Sequence, residues 1–299
     1  GDTVCTSDGD TALLKKIDLN RTVPVFDLID VEDGHRYYAN GTLVSNCEFL
    51  IFDETLINSV KLIELEGKEP ILNMGQTRWY KNIDPKATFL ISMDPSLGTG
   101  GDYGAIQIFE MPSMTQVGEW RHNLTPIQQQ VRVLREILQY IHEQCEEKGS
   151  PNPTIYYSVE NNTIGEAALV VISDIGEENF RGLFLSEPIR KGHVRRYRKG
   201  FNTTHKTKIT ACSSFKNLLE KGKMTVYSKP LISELKTFVA HGVGYGAKTG
   251  EHDDLVSAVL LIVRMANVLS DWDPKIYEKM TERMTEDQFP MPIFISTGY

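Results

Sequence analysis

The sequence predicts an α/β protein in which a mixed sheet is flanked by helices, with a small all-β segment at its N-terminus. Three observations predict this. Strand-like apolar runs follow one another at 88–93, 104–110 and 115–120. Helical periodicity then alternates with short apolar runs: a helix at about 126–147, a strand at 154–159, a helix at about 164–176 and a strand at 182–186. A meander followed by such alternation is the pattern of helices laid on a mixed sheet. Before residue 47, by contrast, the runs VPVFDLIDV and HRYYANGTLV are punctuated by the turn signals Glu32-Asp33-Gly34 and Asn40-Gly41.

The remaining elements follow in order. Residues 47–86 combine EFLIF, polar turns and the Trp79-Tyr80 pair, and read as a connecting region. A helix is expected at about 205–221, a strand at 224–227, a helix at 230–240, and a last helix from Asp253 through LVSAVLLIVRMANVL. The apolar stretch Leu255–Leu269 is interrupted by Arg264, so it reads as a buried helix rather than a membrane span. Beyond Asp273 the chain is polar and contains prolines.

At 299 residues, 40% hydrophobic and 24% charged, the chain has the make-up of a globular protein with one sizeable core and smaller attachments. A net charge of −8 argues against a surface built for non-specific nucleic-acid binding. One segment reverses that sign. Arg190, Lys191, Arg195, Arg196, Arg198, Lys199, Lys206 and Lys208 occur between Pro188 and Lys208 with no acidic residue among them, and form a candidate basic groove. The alternative for these residues is a solvated charged loop. Cys5, Cys47, Cys145 and Cys212 have no metal-ligand spacing and outline no disulfide framework, so a reducing compartment is expected. The start at Gly1 leads us to expect a fragment or the product of a processing event.

Acidic residues mark the ends of the core elements. Asp94 closes ATFLISMD and precedes the glycine-rich turn PSLGTGGDYG, which contains Asp102. Glu160 closes TIYYSVE, and Asp253 and Asp254 open the last helix. Each has an ordinary alternative: Asp94 and Asp102 as turn residues, Glu160 as an exposed strand end, Asp253 and Asp254 as helix caps. All of them nevertheless fall on ends of core elements rather than on solvent faces. Converging carboxylates from separate strand ends and a helix start make a hard oxygen site suited to Mg²⁺ or Mn²⁺.

The stretches FLISMDPSLGTGGDYGAIQIF, IYYSVENNTIGEAAL, GFNTTHKTK, LISELKTF and HDDLVSAVLL occur in that order. Together they resemble the C-terminal nuclease domain of the large terminase subunit of tailed bacteriophages, over about residues 86–270. The resemblance implies a ribonuclease H-like fold and an endonuclease that cuts concatemeric viral DNA. It implies catalytic acids at Asp94, Glu160 and one of Asp253/Asp254, with Asp102 accessory, holding two Mg²⁺ or Mn²⁺ ions. It also implies double-stranded DNA as substrate, the terminase small subunit and portal protein as partners, and the host cytoplasm as the place of action. Two rivals share some of these features. A Holliday-junction-resolvase-like nuclease would carry the acids but leave GFNTTHKTK followed by LISELKTF unexplained; a non-catalytic docking module would keep the acids only as caps.

Two further motifs lie ahead of this region. Glu48-Phe49-Leu50-Ile51-Phe52-Asp53-Glu54 imitates a Walker B strand, but no G-x-x-x-x-G-K-[ST] accompanies it. Residues 47–85 are therefore read as the tail of an ATPase region, and this chain alone is not expected to hydrolyse ATP. The stretch VPVFDLIDVEDGHRYYANGTLVSNC resembles the C-terminal part of an intein. There Asn46 would cyclise and cut the chain, Cys47 would be the accepting thiol, and His35 would be a proton-transfer candidate. Ser45 departs from the histidine of many inteins and matches some split ones. The expected partner is a separate N-terminal half carrying the ATPase domain. The chain is thus expected to comprise an intein-like segment (1–46), a linker (47–85), the nuclease-like domain (86–272) and a tail (273–299).

Overall fold

The computed structural model describes residues 3–5, 11–13, 36–39, 42–45, 55–191, 194–197, 199–242 and 244–272. The chain divides into two compact units, Gly1–Ile51 and Phe52–Tyr299. In the first, β1 (Thr3–Cys5) pairs antiparallel with β2 (Thr11–Leu13), and β3 (Arg36–Ala39) with β4 (Thr42–Ser45). The pairing of Ala39 with Thr42 agrees with the hairpin signalled by Asn40-Gly41. The run VPVFDLIDV, His35, Asn46 and Cys47 lie outside the described residues, as do the side chain of Ser45 and the whole of the Walker B-like stretch.

The second unit is built on a seven-stranded sheet. Its chain order begins with α1 (Ser59–Glu64), β5 (Leu72–Met74) and β6 (Thr77–Trp79). The central meander follows: β7 (Thr88–Asp94), β8 (Gly104–Met111) and β9 (Thr115–His122). Then come α2 (Ile127–Glu147), β10 (Ile155–Val159), α3 (Thr163–Ile175) and β11 (Leu183–Phe184). The strand order is β11-β10-β7-β8-β9-β6-β5. Strand β7 is antiparallel to β8 and β8 to β9, whereas β10 runs parallel to β7 and β11 parallel to β10. The sheet is therefore mixed, as the sequence predicts.

Alternation within the central strands divides the core between the two faces. Phe89, Ile91 and Met93 of β7 join Ile106 and Ile108 of β8 against α2 and α3. Leu90, Ala105 and Phe109 face the other way, into a core with the last helices. Burial on both faces explains why β7 and β8 read as continuous apolar runs rather than as half-polar strands.

The second face is covered by α4 (His205–Glu220), α5 (Lys229–Thr237) and α6 (Asp254–Trp272); the hairpin β12 (Pro188–Lys191)/β13 (Val194–Tyr197) precedes α4, and β14 (Phe238–His241)/β15 (Gly244–Ala247) joins α5 to α6. Helix α6 is buried almost all round, so the Leu255–Leu269 stretch is a core helix. Its Arg264 is satisfied inside by the Glu187 carboxylate, Thr203 Oγ1 and the Asn202 carbonyl.

Three expectations are corrected. The supposed connecting region supplies β5 and β6, which extend the sheet because Trp79 and Tyr80 are buried against it. The strand expected at 224–227 reduces to a single bridge from Thr225 to Thr115, since Ser228 caps α5 directly afterwards. The helix expected at 230–240 stops at Thr237, where the aromatic and β-branched pair Phe238-Val239 starts β14 instead.

Candidate active site

The parallel strands β7 and β10 end side by side. Met93 pairs with Val159, and the Glu160 N–H donates to the Met93 carbonyl at 2.9 Å. Asp94 and Glu160, the next residues on each strand, thus emerge from the same edge of the sheet. Their carboxyl groups come close enough to act on each other directly. Burial first, then the negative charge of Glu160, Asp254 and Asp253, holds the Asp94 carboxyl well above the usual carboxylate range.

Both strand exits are shaped by glycine. Gly98 has φ +71°, and a Cβ there would collide with the Thr125 carbonyl. At Gly165, in the first turn of α3, a Cβ would strike the Glu160 carbonyl oxygen; only glycine lets the helix start so close to that strand end. Fully buried Gln130 fastens the loop after Asp94. Its Oε1 accepts from the Ser96 N–H at 3.2 Å, and its Nε2 donates to the carbonyls of Ser96 and Thr125.

Helix α6 brings the remaining acids from the side. It packs on β7, where Ser92 Oγ donates to the Ala258 carbonyl at 2.7 Å. Asp253 precedes the helix and Asp254 opens it. Asp254 Oδ2 accepts from the Tyr103 N–H at 3.1 Å and lies 3.6 Å from His252 Nδ1. Burial raises the Asp254 carboxyl to about 6; Asp102 and Asp253 push it the same way, while the Tyr103 N–H and His252 oppose them. Asp102 itself is exposed and reaches the group through this repulsion. Asp253 Oδ2 lies 3.3 Å from Lys208 Nζ.

The sequence-selected acids are therefore brought together, with Asp102 at the rim. Among the described residues, no group of three or more His, Cys, Asp or Glu side chains is drawn tightly enough to hold a metal ion as it stands. Three of the acids are engaged by the protein, Glu160 by the Asn162 side-chain amide, Asp253 by Lys208 and Asp254 by the Tyr103 amide. The donor set nonetheless fits a hard divalent cation. All of its candidate ligands are carboxylates, and after burial the upward push on Asp94 and Asp254 comes from neighbouring negative charge, a repulsion that a cation relieves.

The basic candidates part company. Lys208 sits among the acids and lines a small pocket with Glu160, Thr203, Ser257 and Arg264. Lys206 is exposed at the start of α4, beside Glu187 and Thr210. Lys199 is exposed and ion-paired with Glu177. Arg190 and Lys191 lie on β12, and Arg195 and Arg196 on β13, with Arg190 paired in register with Arg195. The side chains of these four, and Arg198 altogether, fall outside the described residues.

The structure adds residues that sequence reasoning passes over. Glu234 on α5 is buried, and its Oε2 accepts from the N–H groups of Leu255 and Val256 at 2.9 and 3.1 Å. Its Oε1 accepts from Arg121 Nη1 at 2.8 Å. Burial pushes the Glu234 carboxyl up to about 8, against the pull of the Val256 N–H and Arg121. The Arg121 guanidinium lies 4.2 Å from the centroid of the Tyr103 ring. LISELKTF lies within the resemblance, but nothing in the string marks Glu234 as buried.

Comparison with known proteins agrees with this architecture. The family model for the terminase RNase H-like domain matches residues 91–266, from β7 into α6. The crystal structure of the large terminase nuclease from thermophilic phage G20c matches with a TM-score of 0.50 and 18% identity, covering 70% of this chain and 96% of that one. Its magnesium-bound form matches with a TM-score of 0.49 and 18% identity, covering 71% and 97%. The manganese-soaked, inhibitor-bound terminase nuclease domain of human cytomegalovirus matches with a TM-score of 0.46 and 16% identity, covering 69% and 92%. At 18% identity the likeness to the first of these concerns the fold alone. With the family model spanning more than half of the sequence, this chain belongs to the terminase RNase H-like domain family.

Proposed function

We propose that this chain is a divalent-metal-dependent endodeoxyribonuclease of a viral DNA-packaging terminase, cutting concatemeric double-stranded DNA. The observation that carries the reading is the meeting of Asp94 and Glu160 at adjacent strand ends, with Asp253 and Asp254 converging from α6. Asp94, Glu160 and Asp254 or Asp253 would hold two Mg²⁺ or Mn²⁺ ions, with Asp102 accessory. When bound, such ions supply a hydroxide-like water and neutralise charge on the phosphate and the leaving 3′-oxygen. The protein's own part is positional. Adjacent strand ends fix the spacing of Asp94 and Glu160, and the Tyr103 amide and Lys208 orient Asp254 and Asp253. DNA would be gripped through its phosphates by the 190–208 segment, without strong sequence preference. Family membership supports the terminase small subunit and the portal protein as partners and the host cytoplasm as the site of action. Among the described residues, no helix is long and apolar enough to cross a membrane.

The experiment is conversion of supercoiled plasmid by the purified chain in Mg²⁺ or Mn²⁺, with and without EDTA. Nicking or linearisation that EDTA abolishes is expected. A folded chain inert with both ions contradicts the reading.

A second reading concerns residues 1–46, which we propose to be the C-terminal segment of a split intein. The run Ser45-Asn46-Cys47, at the junction with the stretch 47–85 read as the tail of an ATPase region, supports it. Mass spectrometry is expected to find slow cleavage after Asn46, absent from Asn46→Ala; an uncleaved parent, even with a complementary N-terminal half, contradicts it.

A further inference from the structure

Asp254 belongs to a closed ring of contacts. From Asp254 the ring passes through its Oδ2 to the Tyr103 amide, then through the Tyr103 ring to the Arg121 guanidinium. Arg121 continues it to Glu234 Oε1, and Glu234 Oε2 returns to the amides of Leu255 and Val256, immediately after Asp254. An acid that only stabilises a helix start needs one oxygen on the first-turn amides. Glu234, 4% exposed, divides its two oxygens between both supports of the same catalytic carboxylate.

We propose that Glu234 is a positioning residue for Asp254: one oxygen fixes the start of α6 and the other tensions the Arg121–Tyr103 arm that orients the Asp254 carboxylate. The link is physical at each step. The α6 amides set where the Asp254 backbone lies. Arg121, on β9 and 23% exposed in its side chain, holds the Tyr103 ring, and the Tyr103 amide sets which way Oδ2 points. His252 closes the outer side, its ring edge-on to Tyr103 at 5.0 Å. Groups that orient a metal-binding carboxylate act on affinity through the ligand, without touching the ion. This proposal rests on reading Asp254 as a metal-binding carboxylate.

Two variants separate positioning from bulk stability. Glu234→Gln keeps an acceptor for the α6 amides but turns an N–H toward Arg121. Arg121→Gln leaves Glu234 on α6 and removes only the arm. In metal-free protein, hydrogen exchange at the Tyr103 amide is expected to quicken by about tenfold or more in both variants, while the amides of Ile106 and Ile108 in β8 keep their protection. Calorimetric Mn²⁺ binding is expected to weaken by about 10- to 100-fold in each, and no further in the double variant, because both changes break one ring. Unchanged Tyr103 exchange in Arg121→Gln, or Mn²⁺ binding in that variant equal to the parent's, overturns the proposal. A parent that binds no Mn²⁺ overturns the metal reading of the site, and the exchange measurement then still decides whether Glu234 holds the Asp254 support.

Discussion

Asp94 is the residue at which structure and chemistry pull hardest against each other. Its carboxyl is placed beside Glu160 and within the field of Asp253 and Asp254, so the protein forfeits stability to gather these charges. Asp94→Asn should therefore raise the unfolding temperature of metal-free protein near neutral pH, while lowering DNA cleavage by roughly 10³-fold or more. Calorimetry and a nuclease assay on one preparation check both signs. Asp254 gives the pH dependence. Its carboxyl lies at about 6 in the folded chain against an ordinary 3.8, so its favourable contribution is complete below about pH 4 and is lost as pH rises through 6. In EDTA, the parent's unfolding temperature should fall between about pH 4 and 6, and less so in Asp254→Asn. At this scale, the acids were legible because each closes an apolar run or opens a helix. Glu234, Arg121 and Tyr103 were not, because their significance lies in contacts across 113, 21 and 151 residues of sequence.

At the scale of elements, the site depends on how closely α3 and the loop after β7 approach their neighbours. Gly165→Ala would push α3 away from Glu160 and should cost about 1–3 kcal/mol, read by denaturant unfolding, with a loss of cleavage larger than that destabilisation explains. If cleavage instead survives intact, the packing of α3 on Glu160 does not position it. The meander β7–β8–β9 was legible because strands buried on both faces leave long apolar runs. Strands β5 and β6 span three residues each, β5 at the sheet's edge and β6 next to it, too short to leave a period. The end of α5 was missed for a different reason. The helical pattern of LISELKTF runs on into Phe238-Val239, and tertiary pairing with β15 decides where the helix stops.

For the molecule as a whole, the proposed function requires a net charge of −8 to coexist with binding a polyanion. DNA affinity should therefore rest on few phosphate contacts, with log K declining by about 0.9 per phosphate contacted for each unit of log salt. Lys206→Ala should reduce that slope by about one, measured by fluorescence anisotropy across a salt series. An unchanged slope would remove Lys206 from the DNA path. The composition disclosed the sign reversal at 190–208, but a contact surface cannot be read from charge order alone: Lys208 turns to Asp253 and Lys199 to Glu177. The mixed sheet flanked by helices was legible in outline, because a meander followed by alternating helices and strands admits few arrangements.

The central claim is that the carboxylates gathered at the ends of β7 and β10 carry metal-dependent DNA cleavage. Plasmid cleavage by the parent in Mg²⁺ and Mn²⁺, beside Asp94→Asn and Glu160→Gln variants shown to be folded, tests it most directly. Metal-dependent cutting by the parent and its loss in both variants is the predicted result. Equal cutting by parent and variants would place the chemistry elsewhere, and a folded parent that neither cuts DNA nor binds either ion would make this fold a docking module.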